Sequence, residues 1–108
     1  MRVCVPITGD GSVDPRWGRA EVLALAEVDD GELKSWEEFE VHWGESHEAS
    51  TEARHHAEVA RFLRDHSVEA VVADHMGPGM LAMLDRMKIR VRLGASGIAR
   101  NAVVLPLP

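Results

Sequence analysis

Short apolar runs alternate with polar loops along the chain, and three of these runs predict buried strands. Val3–Ile7 and Val68–Asp74 are continuous apolar segments, as in strands covered on both faces, and Glu21–Val28 is a third apolar run. Pro6 lies inside the first of them. Because proline donates no backbone hydrogen bond, we expect Pro6 to lie where strand pairing ends and the following loop begins.

Two further segments predict the remaining strands. Asp30 and Gly31 predict a two-residue hairpin turn after the strand at 21–28. The segment over 32–41 that follows is rich in Glu and alternates poorly, which is typical of an exposed edge strand. Ile89–Leu93 alternates apolar and basic residues and predicts the last strand.

Helical periodicity predicts two helices between these strands. The first spans Thr51–His66, with Ser50 or Thr51 as its cap. The second begins at Asp74 or Gly77 and has Pro78 in its first turn. At about 100° per residue, one half of the first helix carries apolar residues. These are Ala53, Ala57, Val59, Ala60, Phe62 and Leu63.

The order of these elements predicts an α/β fold in which a hairpin is followed by two right-handed crossovers. The simplest result is a mixed five-stranded sheet of order 3-2-1-4-5 with the second strand antiparallel. We assign residues 1–93 to a single domain and 94–108 to a C-terminal tail, which shows no helical period. The pattern leaves open whether this tail docks on the sheet or contacts a partner.

Composition and charge narrow the function. The single cysteine of the 108 residues excludes an internal disulfide and a Cys-x-x-Cys motif. Without an apolar run of about eighteen residues or a signal peptide, we predict a cytoplasmic protein with no membrane contact. The net charge of −6 opposes nucleic-acid binding. Acidic residues concentrate in 27–52 and basic residues near the C-terminus, either as two solvated faces or as a partner contact at the basic end.

Three loops reach the carboxyl edge of the predicted parallel strands, which is where open α/β sheets bind ligands. The first loop brings Asp10, Asp14, Arg16, Trp17, Gly18 and Arg19. The second brings His42, Trp43 and His47, and the helix that follows adds His55 and His56. The third brings Asp74, His75, Met76 and Gly77. The sequence therefore predicts a binding site at this edge.

The chemistry of these residues leaves alternatives. Trp17 either closes the end of a core or belongs to a loop that holds a ligand. His56 lies at the middle of the apolar face of the first helix, as a core residue or a ligand, whereas His55 lies at its margin, where solvation is expected. Neutral imidazole binds iron, zinc and copper, so His47, His56 and His75 are candidate metal ligands from separate segments.

Asp10, Asp14 and Asp74 also suggest the two-metal site of a nuclease. The acidic net charge and the lack of a basic groove oppose that function.

Three motifs together carry a family resemblance. "MRVCVPITGDG" places a proline in the first strand, "RWGRAEVLALAEV" gives a Phe-Gly-Arg-Ala-like motif before the second, and "VEAVVADHMGPGM" gives a Gly-Pro turn after the fourth. In this order and spacing they resemble the dinitrogenase iron–molybdenum cofactor biosynthesis family, which comprises nitrogenase accessory domains of the NifX and NifB C-terminal types. The resemblance covers residues 1 to about 93.

The resemblance implies a ribonuclease-H-like fold and non-catalytic binding of an iron–sulfur or iron–molybdenum cluster or its precursor. The cluster would be delivered rather than permanently bound, and the partners would be metallocofactor or metalloenzyme assembly proteins. The positions implied to bind it are Arg16, Trp17, Gly18, Arg19 and Gly77.

Arg16 departs from the family pattern, which commonly reads His-Phe-Gly-Arg. Arg16 takes the place of that histidine and Trp17 that of the phenylalanine. A guanidinium has no free lone pair for a metal, but it pairs well with an anion. Two functions therefore remain from the resemblance: a metallocofactor carrier, or a protein-interaction or regulatory domain that kept the fold and lost the cofactor.

Overall fold

A mixed sheet of five strands carries the fold of this computed structural model, which describes residues 1–45 and 51–107. The strands are β1 (Arg2–Ile7), β2 (Val22–Asp29), β3 (Glu32–Glu40), β4 (Ala70–Val72) and β5 (Arg90–Arg92). The helices that concern the site and the tail are α1 (Glu52–Asp65), α2 (Pro78–Arg86) and α3 (Ala99–Ala102), and a 3-10 turn spans Trp17–Arg19. The five strands and both helices expected from the apolar pattern are present.

The sheet order is β3-β2-β1-β4-β5. β2 runs antiparallel to both its neighbours, and β4 runs parallel to β1 and β5. The predicted α/β topology is therefore confirmed. Asp30 and Gly31 have φ values of 51° and 74°, and positive values at both positions are those of the type I′ turn that suits a two-residue hairpin. β3 is one of the two edge strands, and its side chains are exposed or half-buried, as the Glu-rich pattern predicts.

Pro6 lies in the central strand β1, beyond the last residue of β1 that pairs with the parallel strand β4. β1 pairs with β4 over Val3 and Cys4, whereas Pro6 pairs with Leu23 of β2. The carbonyl of Pro6 accepts a hydrogen bond of 2.9 Å from the backbone N–H of Asp14. The loop after β1 therefore folds back beside the strand. The missing N–H of Pro6 falls where pairing with β4 has ended, although pairing with β2 continues to Ile7, so the expectation holds for one side of the strand only.

Both faces of the sheet are buried. α1 and α2 cover one face, where Leu63 and Leu84 pack with Cys4 and Leu23 of the strands. The other face is covered by the loop after β1 and by the C-terminal residues. There, Val13, Ala95, Ala99, Ala102 and Val103 pack on apolar residues of β1, β2 and β4. No helix in the described part of the chain is long and apolar enough to cross a bilayer.

The tail contains a helix that the sequence pattern did not predict. α3 is four residues long and begins after Ile98. Such a helix completes little more than one turn, so no apolar repeat can reveal it. Ala99 and Ala102 are buried in the second core, which is the apolar cluster on the sheet face opposite α1 and α2. The guanidinium of Arg92 donates a hydrogen bond to the carbonyl of Ala102. The tail therefore docks on the sheet.

Candidate functional site

A cleft of about 380 Å³ opens where the loop after β1, the first turns of α1 and the start of α2 meet. It contains all the positions predicted to bind the cofactor and two of the three predicted histidine ligands. Its lining includes Arg16, Trp17, Gly18, Arg19, Glu52, His55, His56, His75, Met76 and Gly77, and it continues through Pro78, Gly79 and Met80. The remaining predicted ligand, His47, lies outside the described residues.

Trp17 fixes the loop after β1 in the core. Only 2% of the residue is exposed, and its ring packs edge to face against that of Trp43. The 3-10 turn around it is closed by backbone hydrogen bonds from Arg19 to Arg16 (3.1 Å) and from Ala20 to Trp17 (3.3 Å). Trp17 thus closes the end of the core, and the same loop lines the cleft.

Arg16 and His75 tie the first and third loops together. The two residues form an isolated parallel β-bridge, although 58 residues separate them in the sequence. Both side chains are largely exposed, 66% for Arg16 and 72% for His75, and both line the cleft. The bridge places the backbone of a permanently charged residue beside that of a histidine, and the arginine stands at the position where the resemblance implies a histidine.

The N-terminus of α2 adds backbone donors to the cleft. Its N-cap is Gly77, which has no side chain that could cap the free N–H groups, and Pro78 occupies the first turn. Leu81 donates the first intrahelical bond, to the carbonyl of Gly77 (3.1 Å). The N–H groups of Gly79 and Met80 precede that bond, and both residues line the cleft. The positive end of the helix dipole at this position favours an anion.

The two adjacent histidines of α1 have the reverse of their predicted environments. His55 is the buried one, with 2% exposure and an edge contact to Trp43 at 6.1 Å between centroids. The side chain of His56 is 23% exposed, and its Nε2 lies 3.7 Å from Oε1 of Glu52. The buried face of α1 is formed by His55, Val59 and Leu63, whereas Ala53 and Ala57 are exposed.

This error has a simple cause: the helical projection centred the apolar face on alanines. Alanine gains little from burial, so the larger Val59 and Leu63 determine which face packs on the sheet. That face turns His55 inward and leaves His56 at the rim of the cleft. Gly79 permits this arrangement, because a Cβ at Gly79 would lie only 3.1 Å from Cε1 of His56.

The other polar residues predicted at this edge have roles outside the cleft. His42 lies near two carboxylates, 3.6 Å from Glu21 and 3.9 Å from Glu40. The carboxylate of Asp10 accepts hydrogen bonds from Thr8 (2.6 Å) and Ser12 (3.0 Å) and so closes a turn. Within residues 1–45 and 51–107, no three His, Cys, Asp or Glu side chains form a group that could hold a metal ion.

The match to a known family agrees with this arrangement. The sequence model of the family described as "Dinitrogenase iron-molybdenum cofactor" matches residues 1–105. The chain belongs to this family. It is an accessory and carrier family, generally non-catalytic, and it is associated with biosynthesis or binding of the iron–molybdenum cofactor. No curated protein matches the chain.

Solved structures of other proteins share the fold of this chain. PH0822 is 21% identical with a TM-score of 0.75, over 96% of this chain and 86% of its own. The apo form of the orange protein from Desulfovibrio gigas is 24% identical with a TM-score of 0.67, over 95% and 82%. The Thermotoga protein TM1290, assigned to the DUF35 family, is 23% identical with a TM-score of 0.67, over 94% and 83%. All three are similar to this chain in fold.

Sequence reasoning missed Glu52, Gly79 and Met80 as members of the cleft. Glu52 had a signal, because Glu52 and His56 are four residues apart and face the same side of a helix. Gly79 had none, since only the packing of α2 against α1 shows why a side chain would not fit there. As a whole, the cleft joins two guanidiniums, two accessible imidazoles and a helix N-terminus with one carboxylate. Such a set favours an anion with several acceptor atoms.

Proposed function

We propose that the protein binds an anionic metal–sulfur cluster, or a molybdenum- or iron-containing precursor, in this cleft and carries it without catalysing a reaction. The observation that supports this most is the convergence of Arg16 and Arg19 with the N-terminus of α2 around one cavity. Metal–sulfur clusters usually carry negative charge, and their sulfur atoms accept hydrogen bonds. The cargo is received from and passed to proteins of cofactor assembly, in line with the family.

The imidazoles have a second role in this proposal. His56 belongs to α1 and His75 to the loop before α2, and both line the cleft, so each would reach a cluster from a different segment. With His47 from the chain just before α1, they would supply up to three nitrogen ligands. The guanidiniums would balance the charge of the cluster, which a metal-ligating histidine at position 16 could not do in its neutral form.

Titration with tetrathiomolybdate, a small anion of molybdenum and sulfur, tests the proposal. Quenching of tryptophan fluorescence and calorimetry would report binding, because Trp17 lines the cleft. We expect Arg16→Ala and Arg19→Ala to weaken binding by about three- to tenfold each. Arg61→Ala is the matched control, since Arg61 is an exposed arginine of α1 outside the cleft lining. Equal loss in all three variants would show that binding reflects net charge alone.

A second titration separates ligation from charge pairing. A donated iron–sulfur cluster and Zn²⁺ are added to wild type and to His47→Ala, His56→Ala and His75→Ala. If the histidines are ligands, each variant loses affinity for the cluster and for Zn²⁺. Binding that survives all three changes would place the ligands elsewhere. We expect the protein as purified to be colourless, because its single cysteine is buried and iron–sulfur centres usually need several thiolates.

The second candidate function is a protein-interaction or regulatory domain that binds no cofactor. It is favoured by the position of Arg16, where relatives commonly carry the ligand histidine. A folded wild-type protein that binds neither tetrathiomolybdate nor a donated cluster would support this candidate against the carrier.

A further inference from the structure

Asp14 is a buried carboxylate directly beside the cleft. Only 4% of the residue is exposed, whereas the side chain of its neighbour Arg16 is 66% exposed. A buried carboxylate is costly unless charges and hydrogen bonds compensate it. Among the described residues, Arg16 supplies both. Oδ1 of Asp14 accepts a hydrogen bond of 2.9 Å from the backbone N–H of Arg16 and lies 3.7 Å from the Nε of the same residue.

The backbone around this pair is held on both sides. The N–H of Asp14 donates to the carbonyl of Pro6, at the end of β1. Arg16 is bridged to His75, and its carbonyl accepts a hydrogen bond from Arg19. The main chain at Arg16 is therefore fixed. The long side chain of Arg16 can still point in different directions, and the charge of the Asp14 carboxylate favours the direction in which Nε lies next to it.

The ion pair occupies one side of the guanidinium. The contact to Asp14 is made by Nε, and a guanidinium carries four further N–H donors on its two terminal nitrogens. At 3.7 Å the contact is longer than a hydrogen bond, so the carboxylate orients the group by charge. An arginine oriented in this way loses less side-chain freedom when an anion binds.

We propose that Asp14 is a positioning residue that holds Arg16 in the orientation in which its terminal donors face an anion in the cleft. This inference rests on the proposed function. It also gives a reason for the aspartate that precedes Pro15 in this loop: the arginine at position 16 can act as an anion-binding group because a buried carboxylate holds its Nε.

Whether Asp14→Asn weakens or tightens anion binding distinguishes a positioning role of Asp14 from a purely electrostatic one. Asp14→Asn keeps an oxygen that can accept the Arg16 N–H but removes the negative charge. Simple electrostatics predicts tighter anion binding, because a like charge next to the site has been removed. Positioning predicts weaker binding, because the guanidinium is no longer held. A general loss of loop structure predicts weaker binding whether or not Arg16 is present.

The experiment is a double-mutant cycle with tetrathiomolybdate as the probe, on wild type, Asp14→Asn, Arg16→Ala and the double variant. We expect Asp14→Asn to weaken binding by about three- to fivefold in the wild-type background. In the Arg16→Ala background it should leave binding unchanged or tighten it. Circular dichroism and urea unfolding establish that each variant is folded.

A second variant covers the case in which Asp14→Asn does not fold. Arg16→Lys changes an exposed side chain, keeps its charge, and removes the Nε and the planar fork. We expect it to lose nearly as much affinity as Arg16→Ala. Affinity equal to that of wild type would show that charge alone suffices and would overturn the positioning role.

The outcomes also separate the inference from the proposed function. If wild type binds and Asp14→Asn binds equally well or more tightly, the positioning role is wrong and the carrier function stands. If Asp14→Asn weakens binding equally in both backgrounds, Asp14 is structural and the inference is again wrong. If wild type does not bind the probe, the carrier function and the inference built on it both fall.

Discussion

Trp17 and Trp43 pack edge to face beside the cleft, with ring centroids 5.2 Å apart and planes at 70° to each other. Trp17 belongs to the segment between β1 and β2 and Trp43 lies in a helical segment after β3, so the contact joins two connecting segments at one end of the core. Both residues are almost fully buried. Aromatic pairs in this arrangement stabilise a fold beyond the area they bury. The loop that carries Arg16 is therefore anchored through its tryptophan.

We expect replacement of Trp17 by Phe and by Ala to lower the free energy of unfolding by very different amounts. The indole Nε1 of Trp17 is buried and has no hydrogen-bond partner among the described residues. Trp17→Phe keeps an aromatic ring and removes this donor, so we expect a loss of only about 1 kcal/mol of unfolding free energy. Trp17→Ala leaves a cavity and should cost about 3–5 kcal/mol. Urea unfolding measures both, and equal losses would contradict the account.

The two glycines at the start of α2 predict opposite sensitivities. A Cβ at Gly79 would lie 3.1 Å from Cε1 of His56, whereas a Cβ at Gly77 would meet no atom within 4 Å. Gly79→Ala must therefore displace the imidazole, and we expect tetrathiomolybdate affinity to fall by about two- to fivefold. Gly77→Ala keeps the backbone N–H groups and places its Cβ in open space, so we expect little change, and Gly9→Ala, outside the cleft lining and equally unobstructed, is the control. Calorimetric titration measures all these variants, and a larger loss for Gly77→Ala would argue against a role of His56.

The strand order could be predicted because each apolar run had one consistent interpretation. The hairpin at Asp30 and Gly31 fixed the direction of β2, and the right-handed crossovers fixed the rest. The convergence of Arg16 and His75 at one cleft followed from the same topology. The sequence could thus place loops at an edge of the sheet, since strand direction alone determines where loops emerge.

Side-chain environments were harder to predict than topology. His55 and His56 are neighbours on one helix, and a rotation of a few tens of degrees exchanges their burial. Large side chains set that rotation by packing on the sheet, which a count of apolar positions does not capture. The role of Asp14 was missed for a related reason, because a carboxylate two residues before an arginine is common in loops. Only its burial distinguishes it.

The thiol of Cys4 should be chemically inert in the folded protein. It is fully buried in a central strand, and burial raises the pKa of the thiol well above its ordinary value. The reactive thiolate is therefore not formed at neutral or mildly alkaline pH. We expect no reaction with a disulfide reagent at about pH 8 in the native state and full reaction in urea. Labelling of the native protein at the rate of the unfolded one would show that β1 opens readily.

Asp10 predicts a pH-dependent part of the stability. Hydrogen bonds from Thr8 and Ser12 favour its charged form and lower the pKa of the carboxyl from 3.8. Because the pKa of Asp10 is lower in the folded protein than in the unfolded one, the charged carboxylate stabilises the fold at any pH above the unfolded pKa. This stabilisation is lost as the pH falls through the pKa of the folded state. Thr8→Val should therefore destabilise the protein slightly at pH 7. The difference from wild type should shrink below about pH 4 in urea unfolding. A pH-independent difference would contradict this origin.

Arg92 should hold the tail on the sheet. Its guanidinium donates to the carbonyl of Ala102, and Ala99, Ala102 and Val103 from α3 and its end are part of the core on that face of the sheet. The backbone N–H of Val103 donates to the carbonyl of Ala99. We expect Arg92→Met to accelerate hydrogen exchange at this amide and to lower the free energy of opening the tail by about 1–2 kcal/mol. Arg90→Met, at an exposed position of the same strand, is the control. Equal effects of the two changes would remove the anchoring role.

The covering of the second face by residues 95–103 also determines when the fold can be completed during synthesis. Val3 and Val5 are made about a hundred residues before the groups that bury them, Ala99, Ala102 and Val103. Until then an apolar surface of β1 stays open to water, although the helical face is already closed. We expect a nascent chain with one finished core and one unfinished core, and an exposed apolar surface of this kind makes a folding intermediate prone to aggregation.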